Sequence, residues 1–143
     1  MTNPIHYTYH VPGDDFTRAG EASGALKSSL KKLGLGPDIV RKVAISMYEG
    51  EINMVIHAGG GEIEVDISPE CVLMVLTDHG PGIADVAKAM EEGFSTATEQ
   101  VRNLGFGAGM GLPNMKKYSD ELSIDSTIGV GTTVTMKVYL QNN

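Results

Sequence analysis

Three groups of residues in this chain have the types and spacing to do chemistry. Glu49 and Asn53 stand four positions apart in SMYEGEINMVIHA. A step of four turns a helix by about 400°, so the carboxylate and the amide share one face. Glu49 is also four after Ile45, at the edge of an apolar stripe. Held half-buried beside a core, such a pair can line a pocket. The amide oxygen is a hard ligand suited to Mg²⁺ with phosphates, and the carboxylate can take a proton. The plainer reading is a solvated helix face.

The hexapeptide DHGPGI, residues 78–83, follows the apolar run CVLMVLT with no polar break. Asp78 offers an acceptor-only carboxylate, apt for the exocyclic amine of adenine, while Gly80 and Gly82 would let backbone approach a purine ring. An ordinary turn uses the same residue types. Third comes GFGAGMGL, with Gly105, Gly107, Gly109 and Gly111 just ahead of a helix. Exposed amides and the positive end of a helix dipole make an anion site fit for a triphosphate, although alone this is flexible-linker composition.

Two standard nucleotide motifs are excluded. G-x-G-x-x-G fails on spacing, because Met110 and Leu112 occupy the positions where the third glycine would fall. No Gly-Lys pair occurs anywhere, which removes the lysine-bearing phosphate loop.

The elements that must position these residues are legible from periodicity. IHYTYHV (5–11) alternates as a strand with one buried face, closed by Pro12 and Gly13. Phe16, Ala19, Ser23, Leu26, Leu30 and Leu33 recur at helical steps up to a cap at Gly34, and Pro37 suits the start of a second helix. That helix is expected from about Asp38 to His57, with Ile45, Tyr48, Ile52 and Val55 as its core stripe and Gly59 to Gly61 as its stop. EIEVDI alternates as a strand, SPE turns, and CVLMVLT, apolar throughout, reads as a central strand covered on both faces. ADVAKAMEEG suggests a short helix, the Gly-, Ser-, Thr- and Asn-rich stretch at about 92–110 a lid, and MGLPNMKKY another helix start. ELSIDST and TTVTMKVYL are strands joined by a hairpin turn at Ile128 to Gly131, with Val134, Met136, Val138 and Leu140 facing one way. The expected fold is an α+β two-layer sandwich: a mixed, mostly antiparallel sheet of about five strands with helices on one face, forming one domain over 1–143.

With 143 residues the chain can bury roughly 70% of its extended surface, enough for one core. Eleven basic residues against 18 acidic give a net charge of −7, a poor match for nucleic acid or an anionic membrane, both of which reward a basic face. Cys71 is the single cysteine, which rules out an internal disulfide, and no run reaches the roughly 18 apolar residues of a spanning helix. A soluble cytoplasmic protein is expected.

In combination the motifs resemble a known family. E-x-x-x-N on a helix, D-x-G-x-G after a strand, a glycine-rich lid leading into a helix, and G-T-T before a last strand occur in the order of the GHKL (Bergerat) ATP-binding fold. That superfamily is named for gyrase, the ninety-kilodalton heat-shock chaperone, histidine kinases and MutL. The likeness spans about residues 38–140, and its size points to the small stand-alone serine/threonine kinases and anti-sigma factors of bacteria. HAGGGEIEV and GFSTA…LGFGAGMGLPNMKKYSDELSI are closer to the RsbT-type switch kinases than to the anti-sigma factors. Within the helix box the chain departs from the family pattern at Gly50, Glu51 and Met54.

Carried over by position, the resemblance implies that Asn53 ligates Mg²⁺ and Asp78 selects adenine, with Gly80 and Gly82 beside the base. Gly105, Gly107, Gly109, Met110, Gly111 and Leu112 would surround the phosphates of ATP or ADP, and Thr132 would support a water near adenine. Glu49 would be the general base of an ATP- and Mg²⁺-dependent kinase acting on a STAS-domain antagonist protein in a partner-switching pathway. The alternative is an anti-sigma factor that sequesters a sigma factor. Most of the family dimerises, so a homodimer is also implied.

Other candidates weigh less. His6 and His10 share a strand face and permit a metal pair, but surface roles suit them better. His57, one helical step beyond Asn53, could approach the phosphates, although a histidine at a helix C-terminus is favoured by the dipole alone. His79 is expected to be exposed. Met47, Met54, Met74, Met90, Met110, Met115 and Met136 read as core and lid packing.

Overall fold

The computed structural model describes residues 5–13, 16–83 and 111–140. The chain runs through β1 (Ile5–Pro12), α1 (Glu21–Lys32), α2 (Pro37–Ala58), β2 (Gly60–Ile67), β3 (Cys71–Thr77), α3 (Gly111–Tyr118), β4 (Glu121–Thr127) and β5 (Gly131–Tyr139). The expected helix ADVAKAMEEG and the lid, with Met90, Gly105, Gly107, Gly109 and Met110, lie outside the described residues.

The strands form one sheet in the order β1-β2-β3-β5-β4, and every pairing is antiparallel. Two pairings follow from short turns. Ser68 Oγ accepts the amides of Glu70 and Cys71 in the β2–β3 connection, and Val130 N donates to Thr127 O in the β4–β5 hairpin. The join between β3 and β5 is non-sequential and sets Leu76 opposite Val134 and Met74 opposite Met136.

Alternation puts Ile63, Val65 and Ile67 of β2, Val72, Met74 and Leu76 of β3, and Val134, Met136 and Val138 of β5 on one face. All nine are buried under the helices with Leu26, Leu30, Val43, Met47 and Met115, forming one core. Burial of such side chains contributes about 1.5–3 kcal/mol each, the main drive toward this two-layer arrangement.

The structure corrects two expectations. β3 is covered on one face only. Cys71, Leu73 and Val75 point to the opposite face, which carries no second layer among the described residues and leaves them partly exposed. Their flanking neighbours there are Glu64, Asp66, Thr135 and Lys137, whose long or branched chains shade them from the side. The core stripe of α2 also differs. Ile52 and Val55 are buried as expected, but Tyr48 is 39% exposed and Ile45 only half-buried, and Val40, Val43, Met47, Gly50, Glu51 and Met54 are buried as well. α2 packs against the sheet, α1 and α3 together, so more than one of its faces is inside.

Its ends are as expected: Pro37 occupies the first turn, and Gly59, at φ 72°, closes it by donating to Met54 O. α1 is shorter than its apolar pattern, beginning at Glu21 after a left-handed Gly20 and leaving Leu33 42% exposed.

Candidate functional site

Asp78 lies one residue past the end of β3. Its main-chain N–H donates to Thr132 O at 2.9 Å, and its Oδ1 accepts the amides of Thr132 at 3.1 Å and Gly80 at 3.0 Å. One carboxylate oxygen is thereby fixed between β5 and the turn that follows β3. Oδ2 has no hydrogen-bond partner among the described residues, so its acceptor capacity is unused by them.

The glycines around it have a packing reason of their own. A Cβ on Gly80 would stand 2.6 Å from Ala58 Cα, and one on Gly82, at φ 82°, would stand 2.6 Å from Thr127 O. These positions admit close approach of α2 and of the β4–β5 hairpin to the turn. Gly131, at φ 143°, has the tightest case: a Cβ would come 2.1 Å from Asp78 O. It was not singled out from the sequence, although the G-T-T signature contains it.

Thr132 is buried, and its Oγ1 lies 2.8 Å from Ser126 Oγ, which accepts Ile83 N at 2.7 Å. The hydroxyl pair ties the DHGPGI turn to β4 and β5. Ser126 was missed, yet the signal was present: it occupies the inward register of β4 after Leu122 and Ile124, where alternation calls for an apolar residue.

Glu49 sits on α2, half-buried, and Asn114 Nδ2 of α3 donates to its Oε2 at 3.3 Å. Burial raises the proton affinity of the carboxyl above the ordinary carboxylate value, and the bond from Asn114 lowers it by less. Asn53 is half-buried one helical step on, with no side-chain hydrogen bond among the described residues. An amide left with free donors and acceptor next to a basic carboxylate fits a hard-cation ligand. Leu112 is buried in the core, so only its main chain is available to a ligand; Gly111 begins α3.

Glu51 explains the departure within the helix box. It is 2% exposed, and its Oε2 accepts the amides of Gly20 at 2.9 Å and Ala22 at 3.2 Å while Oε1 accepts that of Ser23 at 2.9 Å. A carboxylate from α2 thus caps the first turn of α1, which has no cap of its own. Gly50 is small because Leu76 Cδ2 lies 2.4 Å from where its Cβ would be.

Among the histidines, His79 is exposed as expected. Burial lowers the pKa of His57, so desolvation there outweighs the helix terminus, which alone would raise it. His6 and His10 face carboxylates across the strand, His6 Nδ1 to Asp66 at 2.6 Å and His10 Nδ1 to Glu62 at 2.7 Å. No group of three or more His, Cys, Asp or Glu able to hold a metal occurs among the described residues. No helix among them is long and apolar enough to cross a membrane.

Known proteins match this arrangement. Residues 14–138 match the family described as the histidine kinase-like ATPase domain. The serine/threonine-protein kinase RsbT of Bacillus subtilis is 34% identical over 115 residues, covering 78% of this chain and 80% of that protein. The anti-sigma F factor of Caldanaerobacter subterraneus subsp. tengcongensis is 37% identical over 107 residues, 71% of this chain and 70% of the relative. Among solved structures, the RsbU and RsbW domains of a Mycobacterium tuberculosis protein superpose with a TM-score of 0.59 at 17% identity, covering 99% of this chain and 34% of that one. The mycobacterial sensor histidine kinase MprB follows at 0.54 and 18%, covering 97% and 100%. Since the matched span takes in Glu49, Asn53, Asp78 and Thr132 on the elements that position them, the chain belongs to the histidine kinase-like ATPase family.

Proposed function

We propose that the protein is an ATP- and Mg²⁺-dependent serine/threonine kinase that phosphorylates a STAS-domain antagonist and exchanges partners afterwards. The observation that carries this reading is Glu49. It is a half-buried carboxyl of raised proton affinity, with Asn53 on the same helix face. Glu49 takes the proton of the substrate serine hydroxyl as its oxygen attacks the terminal phosphoryl group of ATP in line. Asp78 Oδ2 accepts from the adenine amine, its partner oxygen already being held by the Gly80 and Thr132 amides. Asn53 would hold Mg²⁺, which offsets charge on the phosphate oxygens when bound. Similarity to a protein named as a serine/threonine kinase supports the reading.

The test is transfer of radiolabel from Mg-ATP to a purified STAS-domain protein. Wild type transfers label, whereas Glu49→Gln loses at least about a hundredfold of the rate, within the range ascribed to general base catalysis, with nucleotide affinity retained. Equal rates for the two proteins would end the base assignment.

The second reading, an anti-sigma factor, draws on the 37% identity to a protein so named. Capture of a sigma factor without label transfer to any STAS protein would favour it.

A further inference from the structure

Asn114 carries an observation that the family motifs do not use. It lies on α3 between Leu112 and Met115, both buried, and is itself half-buried. Its Nδ2 reaches Glu49 Oε2 at 3.3 Å across 65 residues of chain. The approach depends on how closely α3 lies on α2. Met115 is fully buried, and its sulfur would stand 3.4 Å from a Cβ at Gly50, the neighbour of Glu49. A larger residue at 50 would push the helices apart and part the amide from the carboxylate.

We propose that Asn114 is a positioning residue for the Glu49 base, holding Oε2 so that the other oxygen is presented to the substrate hydroxyl. The proposal rests on the kinase reading. The amide suits the task on chemical grounds. It donates to a carboxylate without carrying charge or titrating, so Glu49 keeps the only proton that has to move. It also works against burial, which alone would leave the base protonated over a wider range of pH. No other hydrogen bond reaches the Glu49 carboxylate among the described residues, which makes Asn114 the single polar restraint on it there.

The test is a ¹³C titration of the Glu49 side-chain carboxyl by NMR on the full chain, assigned with Glu49→Gln and repeated for Asn114→Leu and Asn114→Asp. Losing the donor in Asn114→Leu should raise the Glu49 pKa by about one unit, the weak end for a hydrogen bond to an ionised acceptor. Asn114→Asp places a like charge beside the base and should raise it further. Because Asp is isosteric with Asn, this variant keeps the test valid even if the leucine disturbs α3. A pKa that stays put or falls in Asn114→Asp overturns the proposal.

A second arm follows the pH dependence of label transfer from Mg-ATP to a STAS-domain protein. The acid limb of Asn114→Asp should move upward with the titration, an effect that simple loss of stability does not produce. If wild type transfers label and that limb is unmoved, the positioning role fails. If wild type transfers none, the kinase reading fails, while the titration still decides whether Asn114 governs the carboxyl.

Discussion

At the scale of single residues, the two oxygens of Asp78 divide the work. Oδ1 belongs to the fold through the Gly80 and Thr132 amides, and Oδ2, unpartnered among the described residues, is the oxygen we propose for the adenine amine. This predicts a clean outcome for Asp78→Asn. The asparagine keeps an oxygen for both amides, so the melting temperature should change little. Its NH₂ then meets the adenine amine as donor against donor, and Mg-ATP affinity measured by calorimetry should fall by about 10- to 100-fold. Unchanged affinity would remove Asp78 from the binding site. Asp78 stood out in the sequence as an acid directly after an apolar strand and followed by glycines, a pattern that plain turn chemistry shares; what was not legible is the division of its oxygens, since Thr132 is 54 residues away. Asn114 was not, since its partner is 65 residues away and a polar residue on a short helix has a default place in solvent.

At the scale of elements, α2 is the frame. It carries Glu49 and Asn53, touches the sheet and both other helices, and reaches into α1 with Glu51. Sequence periodicity located this helix to within a residue at each end and placed Ile52 and Val55 inside, but it missed the other buried faces, because a single-stripe pattern presumes one neighbour and α2 packs on the sheet, α1 and α3. Glu51 had no local signal: a glutamate two positions after Glu49 on the same helix reads as solvated, and only the uncapped first turn of α1 gives it a destination. Glu51→Ala should therefore cost about 2–4 kcal/mol in urea denaturation, by stranding three main-chain donors that it satisfies. Glu51→Gln should fall between, keeping one acceptor oxygen and turning an NH₂ toward the remaining amide. A loss below about 0.5 kcal/mol for the alanine variant, typical of surface sites, would mean that the cap is not stabilising.

Over the whole molecule, the balance of charge differs by layer. The open face of the sheet carries Glu62, Glu64, Asp66, Glu121 and Asp125 against Lys137, while the helices carry Lys27, Lys31, Lys32, Arg41, Lys42, Lys116 and Lys117 against Glu21, Asp38, Glu49 and Glu51. Stability has its own pH dependence through His57. Its pKa in the fold is below the ordinary 6.5, so the unfolded chain binds the proton more readily. Stability is therefore fully present above about pH 6.5 and is lost as pH falls from there through the folded value. Glu49 acts with the opposite sign, its raised pKa disfavouring the fold as pH rises, but in a window that begins near the ordinary 4.5. Thermal melts from pH 7.5 to 5 should show wild type losing more stability than His57→Gln, and parallel curves would contradict this. The sheet as an antiparallel set of five strands was legible from alternation and turn lengths. The openness of its far face was not, because Leu73 and Val75 carry no mark of which side lacks a layer.

The join of β3 to β5 also sets an order of events during synthesis. One main-chain bond and one to the Asp78 carboxylate join Asp78 to Thr132 across 54 residues, and Gly131 closes against the Asp78 carbonyl. On the ribosome, a nascent chain would display Glu49 and Asn53 early, yet the corner joining Asp78 to Thr132, where we propose that adenine is read, would stay unassembled until β5 had emerged. Unfinished chains would then be unable to capture nucleotide, and the ligand would act as a late lock on complete molecules only.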